Sequence, residues 1–197
     1  MTNLFIEDND QTRARREHLE AIRKLLGNPY PTRYSRTQVV ASGKDDTISS
    51  ITQKFGKYAP VINKDERPSS EVIEKINSEL NKIDVRICGR LAVPPRVMGK
   101  AAFVHLSDGA ARIQIYLRKG ETVALGDQGQ KVDGWDAFNL LDHGDFIGVD
   151  GFLFITKTGE MSVHVRDFTF LAKALLPMPD KMHGIHDPEI RQRQRYA

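Results

Sequence analysis

The run Ala102-Phe103-Val104-His105-Leu106-Ser107-Asp108-Gly109-Ala110-Ala111-Arg112-Ile113-Gln114-Ile115-Tyr116-Leu117-Arg118 decides the fold. Ala102, Val104 and Leu106 alternate with Phe103 and His105. Ile113, Ile115 and Leu117 alternate with Arg112, Gln114, Tyr116 and Arg118. Side chains of a strand point to opposite faces in turn, so each run predicts a half-buried strand with its branched aliphatics inward. Ser107-Asp108-Gly109-Ala110 between them carries the residues of a short hairpin turn.

The same period extends in both directions. Upstream, Val85, Ile87, Gly89 and Leu91 alternate with Arg86, Cys88 and Arg90. Downstream, a Gly- and Asp-rich insertion and a short helix over Trp135–Leu141 precede two further strands, Phe146–Thr156 and Ser162–Leu171. These two are joined through Lys157-Thr158-Gly159-Glu160. Three strands, a helix and two strands is the order of an OB barrel. Gly89, Gly148 and Gly151, inside the first and fourth strands, suit the sharp bends of a small barrel. The expected class is mainly β with α extensions (α+β): a five-stranded OB-fold Greek-key barrel preceded by an N-terminal helical segment.

That segment divides in two. From Asn9 to Leu26, with Asn9, Asp10 or Thr12 as cap, Ala14, Leu19, Ile22 and Leu26 recur at helical spacing until Gly27-Asn28-Pro29 stops the helix. Arg13, Arg15, Arg16, Arg23 and Lys24 occupy its other face, a solvated face or a phosphate contact. Tyr30 to Leu80 is weakly patterned, with short helices expected over Thr47–Phe55 and Ser69–Leu80 and a linker between them. The latter helix is read from Val72, Ile73, Ile76 and Leu80. The expected organisation is an extension over 1–82, the barrel over 83–176 and a junction segment over 177–197.

Of the 197 residues, 40% are apolar and 28% charged, a globular composition. The 29 basic and 26 acidic residues leave a formal charge of +3, so the placement of charge must decide any nucleic-acid role. One cysteine, Cys88, precludes an internal disulfide and fits a reducing compartment. No secretory signal opens the chain, and no apolar run approaches the roughly 20 residues that span a bilayer. The expectation is a cytoplasmic protein without a membrane partner.

With the aliphatics inside, Arg86, Arg90, Phe103, His105, Arg112, Gln114, Tyr116 and Arg118 form one outward surface. Any half-exposed strand shows polar residues outward. An exposed aromatic beside a glutamine, ringed by arginines, is also what an unpaired base and its phosphates require. Catalytic constellations are missing: there is no HExxH, GxxxxGK[ST], GxGxxG or GxSxG string. His183 and His186, three apart, have no cysteine or carboxylate spacing to complete a metal site. No catalytic residue, metal or cofactor is expected in this segment.

Val85-Arg86-Ile87-Cys88-Gly89-Arg90-Leu91, Arg96-Val97-Met98-Gly99-Lys100-Ala101-Ala102-Phe103, Arg112-Ile113-Gln114-Ile115-Tyr116 and Lys157-Thr158-Gly159-Glu160-Met161-Ser162-Val163 together resemble the anticodon-binding domain of bacterial-type class II lysyl-tRNA synthetases. The resemblance continues through Leu171-Ala172-Lys173-Ala174-Leu175, the Pro177–Gly184 string and Arg193-Gln194-Arg195-Tyr196. It covers residues 12–36 and 83–196. It implies that Phe103 stacks on an anticodon base and Gln114 hydrogen-bonds a uridine edge. It implies further that Arg96, in the loop between the first two strands, packs on or binds a base, and that Glu160 accepts a hydrogen bond from another. For a full-length enzyme it implies ATP, Mg2+, a homodimer and a lysine tRNA.

Leu176 stands where the family has an arginine, Gln192 replaces a tyrosine, and Val93-Pro94-Pro95 is prolyl rather than basic. In the family the Arg-Gln-Arg-Tyr string opens the catalytic domain, and this sequence stops one residue after it, at Ala197. The expectation is therefore the recognition segment of a lysine–tRNA ligase, binding tRNA and catalysing nothing alone. Two alternatives stay open: a free-standing OB module for single strands, and a dimerisation module.

Overall fold

The computed structural model describes residues 9–60 and 68–176. The junction segment, with His183, His186, Gln192 and the terminal Arg-Gln-Arg-Tyr string, lies outside the described residues. So does the middle of the expected linker.

Among the described residues, three α-helices precede the barrel. In α1 (Asp10–Leu26), Asn9 and Thr12 form a reciprocal capping box, Thr12 N–H donating to Asn9 Oδ1 at 2.9 Å and Asn9 N–H to Thr12 Oγ1 at 3.0 Å. Leu19, Ile22 and Leu26 are buried as expected. Two expectations for this helix fail: Ala14 is exposed, and Arg15 is buried. The Arg15 guanidinium donates to the carbonyls of His143 (3.1 Å) and Ala174 (2.6 Å), so this cation serves the fold rather than a phosphate. Thr47 and Ser50 cap α2 (Ile48–Phe55) in the same reciprocal way, and Ser69 caps α3 (Ser70–Leu80). Val72, counted on the apolar side of α3, is exposed, while Ile73 and Leu80 are buried.

The strands are β1 (Asp84–Leu91), β2 (Arg96–Met98), β3 (Ala101–Ser107), β4 (Arg112–Arg118), β5 (Val123–Leu125), β6 (Lys131–Asp133), β7 (Phe146–Ile155) and β8 (Met161–Ala172), with α4 (Gly134–Phe138) before β7. Five of them close on one another: β1 pairs with β3, β3 with β4, β4 with β8, β8 with β7 and β7 with β1. Every pair is antiparallel except β4–β8, the parallel seam that seals the OB barrel. The expected alternation holds in β1, β3 and β4, whereas β7 buries Ile147, Gly148 and Val149 in succession and β8 buries Ser162 and Val163 together; Ile87, Val104, Ile115, Val149 and Val163 meet inside. Ile48, Ile51, Phe55 and Leu80, from the weakly patterned zone, belong to that same cluster.

Two glycines owe their place to close approach as much as to bending. A Cβ on Gly148 would lie 2.2 Å from the Tyr34 ring, and one on Gly151 would lie 2.0 Å from the His164 carbonyl, beside a β-bulge at Asp150/Gly151. The Gly- and Asp-rich insertion holds a further hairpin, β5–β6, whose first strand runs parallel to the end of β8. Strands of three residues are too short to leave a period in the sequence. No helix among the described residues is long and apolar enough to cross a membrane.

Helix α1 is fastened to the barrel by a polar cluster. The Lys173 ammonium, fully buried, donates to Asp142 (2.5 Å), Asp145 (2.7 Å) and the Leu140 carbonyl (3.2 Å). His18 on α1 meets Asp142 at 2.9 Å. Burial alone would raise the Asp142 carboxyl, but Lys173 and His18 outweigh it and hold its pKa below the ordinary 3.8. A carboxyl depressed in the fold stabilises it at pH above its unfolded value and loses that contribution as acid protonates it. Asp108, depressed by hydrogen bonds from Ala111 and Ser49 against its burial, acts in the same sense. Asp167, raised by burial and by Asp150, acts in the opposite sense. The urea midpoint is expected to fall as pH drops below about 4, and Asp142→Asn to flatten that fall. An unchanged acid limb in Asp142→Asn would remove the cluster from acid sensitivity.

Candidate nucleic-acid interface

The registers assemble the outward face. Across β3 and β4, Phe103 lies opposite Tyr116, His105 opposite Gln114 and Ser107 opposite Arg112. Directly opposed residues of an antiparallel pair share a face. Arg96 is not in a loop: it sits on the short edge strand β2, directly opposite Phe103. The sequence hides this strand because Val93-Pro94-Pro95 before it and Gly99 after it read as punctuation. A cleft of about 610 Å³ opens there, lined by Arg96, Met98, Phe103, Gln114, Tyr116, Phe154, Thr156, Lys157 and Thr158.

The expected surface is smaller than its eight residues. β1 pairs with β3 at two positions only, and with β7 over the seven from Asp84 to Arg90. Its outward residues therefore follow β7. Arg86 stacks 4.7 Å over the half-buried Tyr34 ring, and its Nε is buried without a hydrogen-bond partner. Burial pushes the Tyr34 phenol up to about 12. Arg90 donates to the Gly144 carbonyl at 3.2 Å and lies over Phe146. Neither arginine lines the cleft. Period-2 reading identifies which side chains face outward, but not which strand they stand beside once the sheet closes.

Around Gln114, which lines the cleft, four polar groups meet. Glu160, on the β7–β8 turn, is held by its N–H donating to Thr156 Oγ1 at 3.1 Å. Its carboxylate accepts from Gln114 Nε2 at 2.8 Å and from His105 Nε2 at 2.8 Å. The Ser162 hydroxyl donates to Gln114 Oε1 at 2.9 Å. Three of the four expected site residues, Arg96, Phe103 and Gln114, thus line one cleft, and the fourth, Glu160, is hydrogen-bonded to its amide.

Sequence reasoning missed the reach of the aromatic surface. Phe103 meets Tyr116 with ring centroids 5.0 Å apart. Tyr116 in turn meets Phe154 at 5.9 Å and His164 at 5.0 Å, and His164 meets Phe152 at 4.8 Å. The ladder crosses β3, β4, β8 and β7, so strands distant in sequence contribute neighbouring rings. Burial lowers the His164 pKa, which keeps that ring uncharged at neutral pH. Alternate aromatics at Phe152 and Phe154 were the available signal.

Residues 85–171 match the family described as OB-fold nucleic acid binding domain. Over 190 residues the chain is 35% identical to the lysine–tRNA ligase of Staphylococcus epidermidis strain RP62A, covering 96% of this chain and 32% of that protein. The lysine–tRNA ligase of Halalkalibacterium halodurans is 38% identical over 188 residues, 95% of this chain and 31% of its own length. That of Staphylococcus aureus strain Mu3 is 36% identical over 190 residues. The chain spans about a third of the length of these curated relatives.

Proposed function

We propose that this chain is the tRNA-recognition segment of a lysine–tRNA ligase, a reading supported by the match of residues 85–171 to the OB-fold nucleic acid binding domain family and by the similarity of nearly the whole chain to such ligases. On this reading its cleft face binds the anticodon of a lysine tRNA. The observation that carries this reading is the meeting of an aromatic platform, an oriented amide and a carboxylate at one cleft.

In this reading Phe103 is the flat surface for an unpaired base, and its neighbour Tyr116 fixes its tilt. Gln114 hydrogen-bonds the pairing edge of the central uridine. Arg96, across the strand from Phe103, packs on or binds a base, and Glu160 accepts from a neighbouring one. Arg96 and Lys157 flank the cleft with positive charge for the phosphates, an attraction that weakens with salt. ATP and Mg2+ belong to the activation chemistry of a full-length ligase. The cleft's aromatic, amide and cationic groups make no triphosphate–Mg2+ site, and we assign them no part in activation.

The test is a titration of the chain with an anticodon stem-loop carrying UUU and one whose central uridine is cytidine. The uridine loop is expected to bind more tightly by about 1–3 kcal/mol, the worth of one base-edge read-out. Gln114→Ala is expected to erase that difference. Equal affinities in the unaltered chain, with a steep salt dependence, would instead support a module that holds single strands without regard to sequence.

A further inference from the structure

We infer that Ser162 is a positioning residue that sets the polarity of the Gln114 amide, and with it the preference for uridine over cytidine. The inference rests on the reading of Gln114 above and adds a residue that contacts no base.

An amide side chain is nearly symmetric in shape but not in chemistry: one end donates and the other accepts. A uracil edge offers an N3–H donor and an O4 acceptor, whereas a cytosine edge offers an N3 acceptor and an N4 amino donor. A glutamine in one orientation suits the first edge, and turned over it suits the second. Discrimination at Gln114 therefore needs something that holds the amide one way round.

The structure provides two such groups. The Glu160 carboxylate, which only accepts, lies 2.8 Å from Nε2, and the Ser162 hydroxyl donates to Oε1 at 2.9 Å. Turning the amide over would set Oε1 against the carboxylate and leave Ser162 without its acceptor. The remaining partner for its proton is the Glu160 carbonyl at 3.3 Å. In the observed orientation Nε2 keeps its second proton and Oε1 its second lone pair, the pair that fits uracil.

The two groups differ in permanence. Glu160 is about half exposed, on a turn, and it is also the carboxylate read as turning to a second base. Ser162 is fully buried on β8, opposite Gln114 in the parallel β4–β8 register. It cannot follow the RNA, so it is the group that still holds the amide when Glu160 is engaged elsewhere. The strand pairing that seals the barrel is thus also what orients the reading group.

The experiment measures the ratio of dissociation constants for the cytidine and uridine stem-loops in the full chain, in Ser162→Ala, Ser162→Thr and Gln114→Ala. Ser162→Ala is expected to lower the ratio about tenfold, the uridine loop losing affinity and the cytidine loop gaining it, with the salt slope unchanged. Ser162→Thr, which keeps the hydroxyl, is expected to restore most of it. If the alanine variant loses the fold by circular dichroism, Ser162→Cys, isosteric but a weak donor, replaces it in the comparison. A ratio that collapses in Gln114→Ala but survives loss of the Ser162 hydroxyl overturns the inference and leaves the Gln114 reading standing. A ratio that survives in Gln114→Ala overturns both.

Discussion

Lys173→Met is expected to destabilise the protein by about 3–5 kcal/mol, because it leaves buried carboxylates without their counter-charge. The ammonium is fully buried and holds two of them: Asp145, also fully buried, at 2.7 Å and Asp142, partly exposed, at 2.5 Å. Asp145 cannot relax toward water, since its other contacts are the backbone N–H groups of Asp142 and Ala174. In a chain of this size the loss corresponds to a fall in melting temperature of about 10 °C. Calorimetry on the variant is the direct check. Combining Lys173→Met with Asp145→Asn is expected to recover part of the loss, since the neutral amide has less to lose by burial. A melting temperature within about 2 °C of the unaltered chain would mean that the cluster opens to water and that the penalty is never incurred. The variant should also loosen α1, because Asp142 holds His18 and the Ala174 carbonyl holds Arg15.

The second large effect is on binding. Phe103→Ala is expected to weaken the uridine stem-loop by about 1–3 kcal/mol, the worth of one base stacked on an aromatic ring. Phe103 is half-buried on the strand face, backed by Tyr116 rather than by the barrel interior, so its removal should leave stability nearly unchanged. That contrast separates the two substitutions: Lys173 acts on the melting temperature and Phe103 on affinity. Loss should be nearly equal for the uridine and cytidine loops, because every base has a face to stack. Should affinity stay within experimental error of the unaltered chain, Phe103 is only packing against Tyr116 and the platform lies elsewhere on the ladder.

Much of this was legible in the chain itself. The alternation in Ala102–Leu106 and Arg112–Arg118 determined two strands, their inward faces and the hairpin between them, because a pleated strand has a period that a short window displays. The start of the first helix was likewise local: Asn9, Asp10 or Thr12 offered a cap, and Asn9 and Thr12 form it reciprocally, since a cap spans only three residues. The strings around Phe103, Gln114 and Glu160 pointed to a nucleic-acid face by their residues alone. What no window could show was adjacency across long separations. Closure of the barrel moved Arg86 and Arg90 off that face, paired Arg96 with Phe103 and carried the aromatic surface onto β7 and β8. It buried Arg15 against carbonyls 128 and 159 residues away, although helical spacing had put it among solvated cations. It also set Ser162 against Gln114, 48 residues apart, where one hydroxyl orients one amide. Alternation depends on a residue and its immediate neighbours; which outward groups meet depends on how the sheet curls, and that is decided by packing over the whole barrel.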